Sequence, residues 1–314
     1  MRPRRRVRRS PVALVAAIAA SSLLAPRDAW AGPPCVTVLR CTASIAPAGP
    51  ARLAGASGLA VDHRGRAVVA DAGGHRVLIL AVDGTIAHEL GGYGWADSNL
   101  DTPLDVVVTA GFFIDVLDRG NRRVARFDAE GDYVETVVGD DALEDPVALA
   151  LGRSGEVLVL DGESRSVLVF SQFGEPMPAV GRFGPDDGGL VRPSAVAVGP
   201  RGEIAVGDPG RGSVEVFDEF GAHVGSLAPA DSLAAVAVAY DRHGNLFAAD
   251  AARGAVLAFS PSGALTALLD ADHVGAPIRP VDVALDREGR ALVLDGAGRL
   301  LTVAVDYGDC PAPR

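Results

Sequence analysis

The chain has 314 residues, of which 48% are hydrophobic and 22% charged, with 38 Gly, 21 Pro and only 5% aromatics. That composition is globular and excludes a disordered or fibrous protein, and the many turn formers point to short strands. The formal charge of −11, carried without a single Lys, disfavours nucleic acid and anionic lipid as partners.

In chain order, the first element is an export signal over residues 1–31. Arg2, Arg4, Arg5, Arg6, Arg8 and Arg9 form a basic start, Val12 to Ala25 an apolar stretch, and Ala29-Trp30-Ala31 a small-residue cleavage site. The apolar stretch is too short to span a bilayer. The expected product is cut after Ala31 and is secreted or periplasmic, with the Sec and Tat routes both open. Cleavage leaves 22 basic against 39 acidic residues, a balance of −17, and residues 32–314 form a single domain with no membrane span.

A repeat then dominates. Apolar residues run into an Asp six times, at Asp71, Asp118, Asp161, Asp208, Asp250 and Asp295, with gaps of 47, 43, 47, 42 and 45 residues. An aliphatic residue stands six positions after each Asp, and Ala56, Pro103, Pro146, Pro193, Ala235 or Pro280 fifteen before it. Gly stands six positions before it in all copies but the second, where Phe112 takes the place. The copies span about 56–102, 103–145, 146–192, 193–234, 235–279 and 280–310. Each reads as four strands joined by tight turns, such as Asp241-Arg-His-Gly244. The fold class is therefore all-β, a six-bladed β-propeller of four-stranded blades. The last copy lacks an outer strand, and the strand-like segment within 35–47 has no copy of its own. It is expected to complete the last blade and close the ring. The six marker Asp residues are assigned a structural role, capping backbone N–H groups of the following turn.

Three cysteines bear on the closure. Superposing the copies sets Cys41 and Cys310 at one corner of a blade, so the expected bridge is Cys41–Cys310. Cys35–Cys310 is the alternative pairing, and a local Cys35–Cys41 bond is also open. Three Cys without a nearby His pair do not make a zinc site.

The stretch Gly58 to Val77, with Asp71-Ala-Gly-Gly-His75-Arg76-Val77, resembles the NHL-repeat family, as does Asn121-Arg-Arg-Val124 in the second copy. The likeness covers about residues 51–306 and implies the six-bladed fold more than any function. Related propeller enzymes hold zinc through axial histidines, or calcium through Glu, Asn and Asp from separate blades. Here His63, His75, His88, His223, His243 and His273 recur at no axial position, and none of Asn99, Asn121 and Asn245 begins an inner strand.

Two acids break the repeat near the axis. Asp105 and Asp282 stand where the other copies have Gly58, Ala148, Ala195 and Ala237. They are read as solvated acids or partners of Arg192 and Arg279, with a calcium site of oxygen ligands as the sharper option. No other cofactor is expected. The interblade connectors, Tyr93 to Asn99, Phe183 to Arg192 and His273 to Arg279, offer a contact surface in which Tyr93 and Trp95 are the aromatic candidates. No nucleophile–base set or phosphate loop appears. The leading expectation is a monomeric, non-enzymatic scaffold for a protein or cell-surface ligand. The alternative is a metal-dependent hydrolase or lyase working in the axial pocket.

Overall fold

The computed structural model describes residues 33–47, 53, 55–181 and 189–310. The expected export signal lies outside them, as do residues 182–188 of the second connector. The described chain folds into six sheets of four antiparallel strands each. From the axis outward, blade 1 is Ala56–Val61, Ala67–Asp71, Arg76–Leu80 and Ile86–Gly91. Blade 2 is Pro103–Val108, Ile114–Asp118, Arg123–Phe127 and Tyr133–Val138. Blade 3 is Pro146–Leu151, Val157–Asp161, Ser166–Phe170 and Pro176–Val180. Blade 4 is Ala195–Val198, Ile204–Asp208, Ser213–Phe217 and His223–Leu227. Blade 5 is Ala235–Tyr240, Leu246–Asp250, Ala255–Phe259 and Leu265–Leu269. Blade 6 is Pro280–Leu285, Ala291–Asp295 and Arg299–Gly308, with Cys35–Ile45 as its outer strand.

The burial of each strand explains its sequence. Second strands such as Val157–Asp161 are buried on both faces, so they read as unbroken apolar runs. Outer strands such as Tyr133–Val138 are mostly exposed and carry the polar residues. The core is divided among six apolar wedges, one at each blade interface. Ile79 and Leu90 meet Val116 and Phe127 between blades 1 and 2. Leu59 and Leu80 meet Leu294 and Leu300 between blades 1 and 6. Val36 and Leu39 of the N-terminal strand seal the wedge between blades 5 and 6. Each fully buried Leu, Val or Phe contributes about 1.5–3 kcal/mol.

The N-terminal strand closes the ring as the repeat count requires. It pairs antiparallel with Arg299–Gly308 in a register that sets Cys35 opposite Gly308 and Cys41 opposite Val303. The disulfide joins Cys35 to Cys310, with Cα atoms 5.0 Å apart. The expected Cys41–Cys310 bridge is therefore corrected. Cys41 sits in mid-strand opposite Val303, seven positions before Cys310, and is the free thiol. The strand is 11 residues long against five or six in the other outer strands, so a count carried over from them falls short of its end. A disulfide belongs to an oxidising, exported compartment.

The marker Asp residues do more than cap their own turn. All six end the second strand and are at most 1% exposed. Asp208 accepts N–H bonds from Gly210 in the turn ahead, and from Val191 and Arg192 in the connector behind. Asp161 does the same with Ser164, Glu144 and Asp145. Asp71, Asp118 and Asp295 take connector N–H groups of Gly55, Asp101 and Arg279, and side-chain bonds from Arg76, Arg123 and Arg299. Asp250 takes N–H bonds from Ala252 and Arg253. In five blades, then, the carboxylate pins the incoming connector to the hairpin and so fixes where the inner strand begins.

Candidate functional site in the axial channel

The inner strands enclose an axial cavity of about 320 Å³. Its wall is mainly Ala, Val and Leu, because six strands converge there and bulky side chains do not fit. The polar side chains are few: Ser57, Ser194, Tyr240, Asp105 and Asp282. In five blades the inner strand opens with a bulge two residues long, at Pro103/Asp105 and Pro280/Asp282 among others. Such bulges re-aim the side chain that follows.

Both acids bridge neighbouring blades. Asp105 Oδ1 accepts the N–H of Val106 at 2.8 Å, and Oδ2 accepts that of Leu149, on blade 3, at 2.7 Å. Asp282 Oδ1 accepts from Val283 at 2.7 Å, and Oδ2 from Leu59, on blade 1, at 2.6 Å. Burial pushes the Asp105 carboxyl up to about 7, against the pull of its two N–H donors. Burial raises Asp282 well above the usual range, and the neighbouring Asp105 charge raises it further. Both carboxyls therefore lie above the usual carboxylate range. Burial also keeps the Tyr240 hydroxyl protonated, helped by the Glu203 charge.

The other sequence candidates lie elsewhere. Arg192 and Arg279 are exposed and form no ion pair among the described residues. Their backbone N–H groups sit on Asp208 and Asp295, so they do not neutralise the channel acids. Tyr93 and Trp95 lie on the connector after blade 1, 61% and 76% exposed, edge-on to each other at 5.9 Å. Tyr93 also leans on His75, whose Nδ1 accepts the Thr102 N–H. This aromatic pair is distinct from the channel wall.

A calcium ion needs six to eight oxygen ligands. Each of the four carboxylate oxygens of Asp105 and Asp282 already holds a backbone N–H. No group of three or more His, Cys, Asp or Glu residues that could hold a metal occurs among the described residues. Asp105 and Asp282 by themselves fall short of that number of ligands.

Ser57 and Ser194 have no place among the sequence candidates. Each occupies the first position after the Pro-equivalent and donates across a blade boundary, to Pro103 O at 2.9 Å and to Ala235 O at 2.6 Å. The same alignment column that isolates Asp105 and Asp282 holds the signal one position earlier, where the other blades have Leu or Val.

No protein-family model and no curated protein matches the sequence. Solved structures do match in fold. A gluconolactonase from Xanthomonas campestris is 21% identical, with a TM-score of 0.62 over 88% of this chain and 98% of its own. A streptogramin B lyase is 12% identical, with a TM-score of 0.61 over 85% and 97%. A virginiamycin B lyase from Staphylococcus aureus is 11% identical, with a TM-score of 0.60 over 85% and 99%. At these identities the likeness is one of fold, a six-bladed ring of the lyase and gluconolactonase kind. All three are enzymes, and this corrects the expectation of a non-enzymatic scaffold. That expectation rested on the lack of a familiar metal or nucleophile set, which overlooks what a coupled acid pair can do.

Proposed function

We propose that the protein is an enzyme of the hydrolase or lyase class that works in the axial channel by general acid–base catalysis. The observation that carries this reading is the placement of the Asp105 and Asp282 carboxyls together in one concave, mostly apolar cavity. Two carboxyls with raised proton affinity that share one cavity can divide into an acid and a base. The protonated partner would donate to the leaving oxygen of a small ester or lactone. The ionised partner would take a proton from water or from the carbon beside the bond that breaks. Backbone N–H groups on both carboxylates fix their orientation, and each oxygen keeps a further lone pair for the channel. The solved lyases and gluconolactonase built on the same ring support the class. No metal enters the scheme.

We also read residues 1–31 as a cleaved export signal and the repeats as NHL-type. The Cys35–Cys310 disulfide suits a secreted or periplasmic setting.

The test is a pH-stat screen of the purified chain against small lactones and esters. Turnover should show a bell-shaped pH profile and fall at least ~100-fold in Asp105→Asn and in Asp282→Asn. Turnover unchanged by both substitutions would refute the assignment.

A further inference from the structure

The channel presents one backbone N–H per blade at the same level. In four blades this is visible directly: Val106, Leu149, Val283 and Leu59 donate inward to the two acids. In blades 4 and 5 the equivalent residues are Val196 and Val238. Val196 stands opposite Val206, and Val238 opposite Ala248, as Val106 stands opposite Val116. The same alternation of the ladder therefore turns their N–H groups toward the axis.

The acids follow a rule. Asp282 spans blades 6 and 1, and Asp105 spans blades 2 and 3. The next step of two blades reaches the boundary between blades 4 and 5. Ala195 stands there in place of an acid, opposite Gly207 just as Asp105 stands opposite Leu117. The ring thus has three equivalent pairs of inward N–H groups and only two carboxylates to fill them. Ala195 and Ala197 present only small side chains at the third.

We propose that the Val196 and Val238 N–H groups form a seat for the carboxylate of a small organic acid. The seat offers two N–H donors, beside the carbonyls of the same two residues, which the ladder also turns toward the axis. The chain's own acids show what the geometry accepts, since a carboxylate spans the same N–H pair twice elsewhere in the ring with bonds of 2.6 to 2.8 Å. A ligand bound here carries its carboxylate on the wall of blades 4 and 5 and extends the rest of its body along the channel. The titratable groups facing it are Asp105, Asp282 and Tyr240, and no Arg or His lines the cavity. Binding therefore strengthens as pH falls and the two acids take up protons. The seat follows from the register alone. A channel without catalysis would still hold it, and a failure to bind would leave the acid–base scheme standing.

The experiment uses formate as the probe on the full folded chain. Amide resonances are followed by heteronuclear NMR during a titration at constant ionic strength, with chloride as the balancing anion. Saturable shifts confined to Val196, Val238 and their neighbours are expected, together with slower hydrogen exchange at those two amides. Ala195→Asp, which supplies the missing internal carboxylate, should weaken formate binding at least tenfold. Shifts that do not saturate, shifts that ignore Val196 and Val238, or full formate affinity in a folded Ala195→Asp variant would each overturn the seat. If that variant does not fold, the titration and exchange protection of the unaltered protein decide the matter alone.

Discussion

Glu215 and Asp105, two carboxylates of this ring, shift in opposite directions, each set by the balance of burial against its partners. Glu215, on blade 4, is pushed up by burial. Hydrogen bonds from Ser213, Ser226 and His223 and the Arg211 charge outweigh that and pull it below the usual range. Asp105 has two backbone N–H donors and no cation, so burial wins. The consequence for stability follows from linkage. The folded carboxyl binds its proton more tightly than the unfolded one, so the contribution is full below about pH 4 and is lost as pH rises through about 7. Each proton held in this way adds a slope of about 1.4 kcal/mol per pH unit in that window. Thermal melts of Asp105→Asn should show a flatter fall in Tm between acid and neutral pH than the unaltered protein. An unchanged slope would mean that Asp105 is ionised throughout. The sequence marks Asp105 and Asp282 clearly, because a repeat makes any departure visible. It cannot show that each one reaches the N–H of the next blade, since that bond crosses a gap of 44 residues in one case and 223 in the other.

Each strand is placed by what it touches across a blade boundary. Gly58 is the clearest instance. It holds the Asp105 position in blade 1, and a Cβ there would lie 2.6 Å from the Cα of Asp105 and 2.8 Å from the carbonyl oxygen of Leu104. Both obstacles are backbone, so the inner strand of blade 2 would have to move. Gly58→Ala should cost about 1–3 kcal/mol, read as a lowered urea midpoint at constant m. It should also displace Asp105 and so alter the pH dependence described above. Element boundaries were legible because the marker Asp residues set the start of each hairpin. Their hold on the preceding connector was not, since the acceptor lies about 16 residues from its donor and no local pattern announces the bond. The disulfide was misread for a related reason. The two strands of the closing pair are 11 and 10 residues long against six and five in blade 2, and the repeat gives no guide to that extra length.

Taken as a whole molecule, the ring is held by six apolar wedges and one covalent clasp. The clasp joins positions 275 residues apart. Removing it by Cys35→Ser or Cys310→Ser should cost about 2–5 kcal/mol, measured by denaturant unfolding with and without reductant. Cys41→Ser should cost under about 1 kcal/mol, because Cys41 is half-buried and unbridged. Equal losses at Cys41 and Cys35 would contradict the pairing. The six-fold count itself was legible from the sequence, and so was the closing role of the strand near the N-terminus. Chemistry was less so, because a propeller assembles its channel from residues that are never neighbours in the chain.

That closing strand also sets a timetable. A ribosome makes Cys35–Ile45 before any blade exists, yet its ladder partner is Arg299–Gly308. The strand made first is placed last. Until then its apolar residues Val36 and Leu39 have no wedge to fill, and the interface between blades 5 and 6 stays open. Blades 1 to 5 pair within themselves and can form in order of emergence. The final blade waits for nearly the entire chain, a long-range closure that slows folding and leaves an unpaired edge exposed in the meantime.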